Sequence, residues 1–243
     1  VLLLDYDGTL REVTLRPAEA RPTPALRALL LELARLPDTD VHVVSGRDRR
    51  TLAAWLGDLP LHLCAEHGFA MRPAGSDRWV TRDDIDLRWL PRADAILRSV
   101  EVEVDDSEVE RKPCGLAWHY RRVDPDYGEW RARELRLHLA EQFANEPVEI
   151  LAGRKVVELR AAGVDKGRYV KSLDLAGAFV LAIGDDRTDI EMYGALPEGA
   201  ISVHVGDDGE RNRYRVDAPS DVRALLEALA GSASGASRAH TGK

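Results

Sequence analysis

Two aspartates follow the first apolar segment of the chain. Val1–Leu4 runs directly into the motif Asp5-Tyr6-Asp7-Gly8-Thr9. Because the chain turns at Gly8, one carboxylate can face a bound phosphate while the other faces a leaving group, and aspartate is a competent nucleophile for phosphoryl transfer. The alternative interpretation is a polar loop in which an aspartate only caps a turn.

A second acidic group follows another apolar segment. Phe179–Ile183 leads into Gly184-Asp185-Asp186-Arg187-Thr188-Asp189. Carboxylates this close together repel one another unless a cation neutralises them, and oxygen ligands of this kind suit Mg²⁺. The motif therefore predicts a magnesium site. The alternative is an acidic first helical turn, which the helix dipole favours.

Ser45 and Lys166 could both hold a phosphoryl group. Ser45 directly follows the apolar run Val41–Val44, where its hydroxyl and nearby backbone N–H groups could bind an oxyanion. Lys166 stands at a predicted helix start, where a cation is unfavourable to the dipole and so indicates a bound anion. A helix N-cap for Ser45 and a solvated surface lysine are the alternatives.

The segments that must position these residues alternate between strand and helix patterns. Such alternation predicts an α/β fold with a parallel sheet, whose ligands bind at the carboxyl ends of the strands. We expect this Rossmann-like core to comprise residues 1–70 and 162–230. Its predicted strands are Val1–Leu4, Val41–Val44, Leu61–Ala65, Phe179–Ile183 and Ile201–Val205.

The pattern changes between the two halves of the core. Over 71–161, predicted strands come in adjacent pairs and helical patterns precede each pair, which indicates an inserted α+β domain with an antiparallel sheet. We expect this domain to cap the active site and determine substrate specificity. The Ser-, Gly- and Ala-rich segment 231–243 is expected to be a disordered tail.

Composition excludes some classes of function. The 243 residues carry a net charge of −8, which argues against nucleic-acid binding, and no apolar run approaches the length of a membrane span. Cys64 and Cys114 show neither a disulfide framework nor metal-ligand spacing, so we expect buried free thiols and a cytoplasmic location.

The four motifs, in this order, resemble the phosphatases of the haloacid dehalogenase (HAD) superfamily. The resemblance implies that Asp5 is the nucleophile and that Asp7 is the general acid and base. It implies further that Ser45 and Lys166 stabilise the phosphoryl group. An aspartate at position 7 fits a phosphatase better than it fits the superfamily's phosphonate or dehalogenase relatives.

The same resemblance implies the ligands of the metal. Mg²⁺ would be held by Asp5, the backbone carbonyl of Asp7 and Asp185. Asp186 and Asp189 would support the metal from nearby.

Polar motifs of the inserted domain extend the resemblance to trehalose-6-phosphate phosphatases. The motifs are Glu-x-Lys, His-Tyr-Arg, Gly-x-Lys-Val-Val-Glu and, in the core, Glu-His-Gly. Carboxylates suit sugar hydroxyls and cations suit phosphate. The candidate substrate-binding residues are Arg47, Glu66, His67, Glu110, Lys112, His119, Arg121, Lys155 and Glu158. For the residues of the inserted domain, cross-strand ion pairing is the alternative.

The resemblance implies Mg²⁺-dependent hydrolysis of trehalose 6-phosphate to trehalose and phosphate through an aspartyl-phosphate intermediate. A phosphatase for another sugar phosphate, of the sucrose-phosphate or mannosyl-phosphoglycerate type, stays an alternative, as does an inactive phosphosugar sensor. Because the chain opens in a strand without an initiator Met, we expect leading residues or a whole preceding domain to be missing. The resemblance implies that the chain functions beside or fused to a trehalose-phosphate synthase.

Overall fold

The computed structural model describes residues 1–14, 16–153, 155–207 and 214–240. The chain forms two compact units. The first comprises Val1–Thr81 and Asp165–Lys243, and the second comprises Arg82–Val164. Both junctions lie later than the predicted ones at 70/71 and 161/162, because two short strands after residue 69 pair with the first unit's sheet and because Ala162 N–H donates to Pro147 O within the second unit.

The strands, in chain order, are β1 (Leu2–Leu4), β2 (Val41–Val44), β3 (His62–Ala65), β4 (Ala70–Arg72), β5 (Val80–Thr81), β6 (Glu108–Lys112), β7 (Gly115–His119), β8 (Val148–Gly153), β9 (Val156–Ala161), β10 (Leu181–Gly184), β11 (Ile201–Val205) and β12 (Tyr214–Val216). The α-helices are α1 (Pro24–Ala34), α2 (Arg49–Leu56), α3 (Leu90–Glu103), α4 (Pro125–Gln142), α5 (Lys166–Lys171), α6 (Arg187–Gly194) and α7 (Pro219–His240).

The first unit is built on a sheet with strand order β12-β11-β10-β1-β2-β3-β4-β5. All described pairings are parallel except those of β4 with β3 and of β5 with β4. Leu4 lies between Val43 and Ile183, so β1 is central and its apolar residues are buried. The predicted α/β core with a parallel sheet is confirmed.

Three strands of this sheet were not predicted, namely β4, β5 and β12. Each has two or three residues, too few to show an alternating pattern. They form because a neighbouring strand offers unpaired backbone groups, and this is a tertiary effect.

Helices of the first unit bury apolar stripes. In α1 the buried residues Leu26, Leu29, Leu30 and Leu33 recur at helical spacing. The expectation of a disordered tail over 231–243 does not match the structure as far as His240, because α7 continues to that residue. A helix that has already started at Pro219 adds further residues without a new nucleation cost. Residues 241–243 lie outside the described ranges.

A histidine is buried on β2. His42 is 4% exposed, its Nδ1 lies 2.7 Å from Tyr169 Oη, and its ring stacks on His62 at 4.3 Å. Burial, with the charge of His62, lowers the pKa of His42 to about 3. The imidazole is therefore neutral in the folded chain at physiological pH.

The second unit contains an antiparallel sheet with strand order β6-β7-β9-β8, together with α3 and α4. Residues that alternate with the polar positions, such as Val109, Leu116, Trp118 and Leu159, are buried. The opposite positions of β6 and β9 carry charged side chains. The predicted inserted α+β architecture therefore has one apolar and one charged strand face.

None of the helices in the described ranges is long and apolar enough to cross a membrane.

Candidate active site

The loop after β1 places a buried carboxylate at the carboxyl edge of the sheet. Asp5 is 5% exposed, and its N–H donates to Ile183 O at 2.9 Å. Gly8 has φ +82°, and a β-carbon there would lie 1.9 Å from Asp185 Oδ2. Glycine is thus required both for the turn and for the close approach of the second acidic loop.

Lys166 connects this loop to the second acidic motif. Its side chain is 2% exposed, and Nζ donates to Asp5 Oδ1 at 2.6 Å and to Asp189 Oδ1 at 2.7 Å. Burial alone would lower the pKa of Lys166, but the charges of Asp189 and Asp5 raise it well above its usual value. The lysine is therefore a fixed cation between two carboxylates rather than a solvated surface residue.

Close packing of two helices brings Lys166 to this position. A β-carbon on Gly167 would lie 2.4 Å from the backbone oxygen of Glu191, so the glycine lets the start of α5 pack directly on α6. Asp165 caps α5 by accepting from Arg168 N–H at 2.7 Å.

Asp189 organises the loop that carries Asp185. It is fully buried, and its Oδ2 accepts from the N–H groups of Asp185 and Asp186 at 3.1 and 3.2 Å. Thr9 Oγ1 donates to Asp185 Oδ1 at 3.4 Å. Asp186 is exposed and caps α6 through Thr188, so the alternative interpretation of an acidic helix start describes Asp186.

Carboxylate oxygens of Asp5, Asp185 and Asp189 lie within 4.8 Å of one another. Burial raises the pKa of Asp5 to about 8 against the opposing charge of Lys166. Burial, with the charges of Asp186 and Asp189, raises the pKa of Asp185 to about 7. When all three carboxylates are ionised, the single ammonium leaves an excess of negative charge, and an all-oxygen donor set of this kind is what a hard divalent cation prefers. The residues present therefore fit a metal ion.

Ser45 lies at the carboxyl end of β2 and is 1% exposed. Its N–H donates to Cys64 O at 2.9 Å, and its Oγ accepts from Arg47 N–H at 3.1 Å. The N-cap of the following helix is Asp48, so the alternative role of Ser45 as a helix N-cap is wrong.

Asp7 forms an ion pair that the sequence does not reveal. Arg47 donates to its carboxylate through Nε at 2.6 Å and also through Nη2. The guanidinium lies 4.8 Å from the centre of the Trp55 ring. Arg47, expected to bind substrate, therefore holds the carboxylate of Asp7 in this structure.

Glu66 and His67 form a buried turn after β3. Both have positive φ, +53° and +56°, a region that costs a non-glycine residue about 1–3 kcal/mol. His67 N–H donates to Ser45 O at 3.0 Å and Glu66 N–H donates to Arg47 O at 2.9 Å. The turn thus braces the loop after β2.

In the second unit, predicted residues gather on the charged strand face. Lys112 Nζ donates to Glu158 Oε1 at 2.7 Å, and His119 Nε2 lies 2.8 Å from Glu110 Oε2. Ala117 is paired with both Glu110 and Glu158, so the two carboxylates flank one small side chain on this face.

Two predicted residues do not join this cluster, and one was missed. Arg121 follows β7 in a turn. Lys155 Nζ donates to Glu129 on α4 at 2.8 Å. Arg160, fully buried and paired with Glu149 at 2.6 Å, lies beside the cluster. The signal that could have found Arg160 is its spacing of two from Glu158, which puts both on one strand face.

Comparison with known proteins agrees with this geometry. The family model of trehalose-phosphatase matches residues 3–221. The bifunctional trehalose-6-phosphate synthase/phosphatase of Thermoproteus tenax is 42% identical over 231 residues, covering 94% of this chain and 32% of the relative. The trehalose-phosphatase of Schizosaccharomyces pombe is 33% identical, covering 95% of this chain and 30% of the relative.

The chain thus spans about a third of the length of these curated relatives. Among solved structures, the C-terminal domain of C. albicans trehalose-6-phosphate phosphatase is similar, with a TM-score of 0.88, 34% identity and coverage of 95% of this chain and 91% of that one. The match covers both the aspartate loops and the inserted unit. The chain belongs to the trehalose-phosphatase family.

Proposed function

We propose that this chain hydrolyses trehalose 6-phosphate to trehalose and phosphate through a covalent intermediate on Asp5. One observation carries the proposal: Asp5, Lys166 and Asp185, distant in sequence, meet in one buried cluster in a chain of the trehalose-phosphatase family. Phosphate monoesters hydrolyse extremely slowly without a catalyst, and positioning and charge neutralisation are what lower that barrier.

Asp5 is the nucleophile in this proposal. Lys166 fixes its carboxylate through Oδ1, whereas Oδ2 is buried and accepts no hydrogen bond from the described residues. Oδ2 is therefore the oxygen available to attack phosphorus, forming a P–O bond while the bond from phosphorus to the sugar oxygen breaks. The Lys166 ammonium offsets the negative charge that spreads over the phosphoryl oxygens.

Asp7 moves the protons. It donates a proton to the departing sugar oxygen, then accepts one from the water that attacks the aspartyl phosphate, and Asp5 is regenerated. Arg47 donates to both carboxylate oxygens of Asp7 in this structure. Arg47 must therefore release Asp7 before the proton is donated. Ser45, held beside this ion pair by Arg47 N–H, would bind a phosphoryl oxygen.

The metal in this proposal is Mg²⁺, held by Asp5, Asp185 and the backbone carbonyl of Asp7, with Asp189 supporting the loop. When bound, Mg²⁺ supplies positive charge that neutralises the transferring phosphoryl group. The excess of carboxylates over cations in the cluster supports this assignment.

The charged strand face of the second unit would recognise the sugar. Glu110, Lys112 and Glu158 offer acceptors and donors around the small Ala117, which is the chemistry that sugar hydroxyls need. His119 would orient Glu110 through their contact.

Replacing Lys112 by Met should raise KM for the sugar phosphate more than it lowers kcat.

A phosphate-release assay tests the function. Trehalose 6-phosphate, sucrose 6-phosphate and glucose 6-phosphate are compared with and without EDTA, using the native sequence and Asp5→Asn. We expect turnover of trehalose 6-phosphate that needs Mg²⁺ and disappears in Asp5→Asn. Equal rates on all three esters would contradict the assignment of trehalose 6-phosphate as the substrate. Near-normal activity of Asp5→Asn would contradict the covalent mechanism.

We propose further that the unit works beside or fused to a trehalose-phosphate synthase. Support comes from the printed name of the Thermoproteus tenax relative, of which this chain covers 32%. The intact mass of the polypeptide isolated from its source cells tests fusion, and co-purification of synthase activity tests association. A mass equal to this chain with no accompanying synthase activity would contradict the proposal.

A further inference from the structure

A cavity of about 210 Å³ lies within the second unit, between α4 and the β8–β9 hairpin. It has roughly seven times the volume that a water molecule occupies in the liquid, yet it is smaller than the pockets of about 300–1,000 Å³ that hold drug-sized ligands. Its size suits a small metabolite. It is distinct from the charged strand face, because Glu110, Lys112 and Glu158 are not among the residues that line it.

The charges around this cavity are mostly positive. Arg133, Arg136 and Lys155 line it, against the single carboxylate of Glu129. A chain with a net charge of −8 does not produce such a cluster through its overall composition. Glu129, Arg133 and Arg136 recur at spacings of four and three along α4, so they share one helix face.

Two of these cations are available to a ligand. Lys155 is committed to Glu129 at 2.8 Å. Within the described ranges, neither Arg133 nor Arg136 donates a hydrogen bond or lies within ion-pair distance of a carboxylate, although, after the hydrogen bond from Lys155, the charge of Arg136 also helps to lower the pKa of Glu129. A guanidinium presents several N–H donors in a fixed plane that matches phosphate, so a pair of them lining a small cavity is suited to a multivalent anion.

The backbone at Lys155 and the other residues that line the cavity also favour an anionic ligand. Lys155 has φ +62°, a region that residues other than glycine rarely occupy, and this turn carries its ammonium to the cavity. The ring of Tyr120 lies 5.6 Å from that ammonium and also lines the cavity, while Ala132 and Val157 form apolar walls. A polar end and an apolar wall suit a phosphate group attached to a small organic body.

We propose that this cavity binds a small phosphate-bearing anion, with Arg133 and Arg136 as its principal ligands. The site is independent of the aspartate cluster of the first unit. Lys155, first expected to contact the sugar substrate, belongs to this site.

Isothermal titration of the full chain with inorganic phosphate in EDTA tests the proposal. The variant is Arg133→Gln/Arg136→Gln, which keeps a polar side chain as far as the δ-carbon and its amide and removes both charges. The matched control is Arg98→Gln on α3, whose guanidinium pairs with Glu101 outside the cavity. We expect binding by the native chain and the control, and affinity at least about tenfold weaker in the double variant, since each charge-assisted hydrogen bond contributes on that scale.

Further titrations separate this site from the catalytic one and identify the class of anion. Lys166→Met, which alters the aspartate cluster, should still bind phosphate in the cavity. Unchanged phosphate affinity in the double variant, or loss only in Lys166→Met, overturns the proposal. Glucose 6-phosphate should compete with inorganic phosphate for the cavity. Whichever of the two compounds has the higher affinity identifies the occupant as a phosphate ester or as free phosphate. Binding of citrate without binding of either phosphate compound also overturns it. Thermal melting confirms that each variant is folded.

Discussion

Replacing Lys166 by methionine is the sharpest test of the proposed active site. The ammonium is 2% exposed and lies 2.6 and 2.7 Å from carboxylates that are themselves almost fully buried. Methionine nearly matches the lysine stem in volume, so the change removes the charge and leaves little cavity. The free energy of unfolding should fall by about 3–5 kcal/mol, since breaking a buried ion pair leaves carboxylates without compensation.

Activity should fall as well. Loss of one preorganised group that stabilises developing negative charge lowers kcat by about 10²–10³-fold. Urea unfolding measures the first effect, and phosphate release from trehalose 6-phosphate, at a temperature where the variant is folded, measures the second.

The matched control is Lys171→Met, an exposed lysine at the end of the same helix. A surface substitution of this kind changes stability by at most about 0.5 kcal/mol. If Lys166→Met were as stable and as active as Lys171→Met, the inferred role of the buried lysine would be wrong.

Three further changes have defined outcomes. Gly8→Ala should reduce phosphatase activity at least about 100-fold, because the new β-carbon would lie 1.9 Å from the Asp185 carboxylate. Gly75→Ala is the control with a similar positive φ and open space around it, and equal activities would contradict the argument. Arg47→Gln should leave the fold stable within about 1 kcal/mol but lower kcat at least about tenfold, since glutamine cannot hold both oxygens of the proposed general acid in place; an unchanged kcat would exclude that positioning role. His42→Gln should flatten the pH dependence of stability. The pKa of His42 is lowered to about 3 in the folded chain, so the unfolded chain binds more protons than the folded chain as the pH falls. This group therefore lowers the free energy of unfolding by about 2 kcal/mol between pH 7 and pH 5. Urea unfolding at both pH values measures the difference, and equal slopes in the two chains would contradict it.

Local sequence patterns accounted for the elements that are long or strongly apolar. Leu2–Leu4 and Val41–Val44 are recognisable because a parallel strand covered on both faces must be apolar throughout. The amphipathic α1 follows from its leucine spacing. The predicted strands of the core therefore needed no knowledge of tertiary contacts, and the motifs at their carboxyl ends implied that their side chains would meet.

The sequence could not show which polar atoms face one another within those motifs. Asp186 and Asp189 are equally acidic in sequence, yet one caps a helix at the surface and the other is buried against Lys166. Likewise, Arg47 and Asp7 are far apart in the chain, and only the folded loops bring them into an ion pair.

Local strand patterns and motifs were enough to predict an α/β core with two aspartate loops, a serine and a lysine at one sheet edge. The pairing of Lys166 with Asp5 and Asp189, and the contact of Lys155 with α4 in place of the charged strand face, became visible in the folded chain alone. The reason is physical: charge compensation and burial depend on distances between segments that are remote in the chain, and no local periodicity encodes those distances.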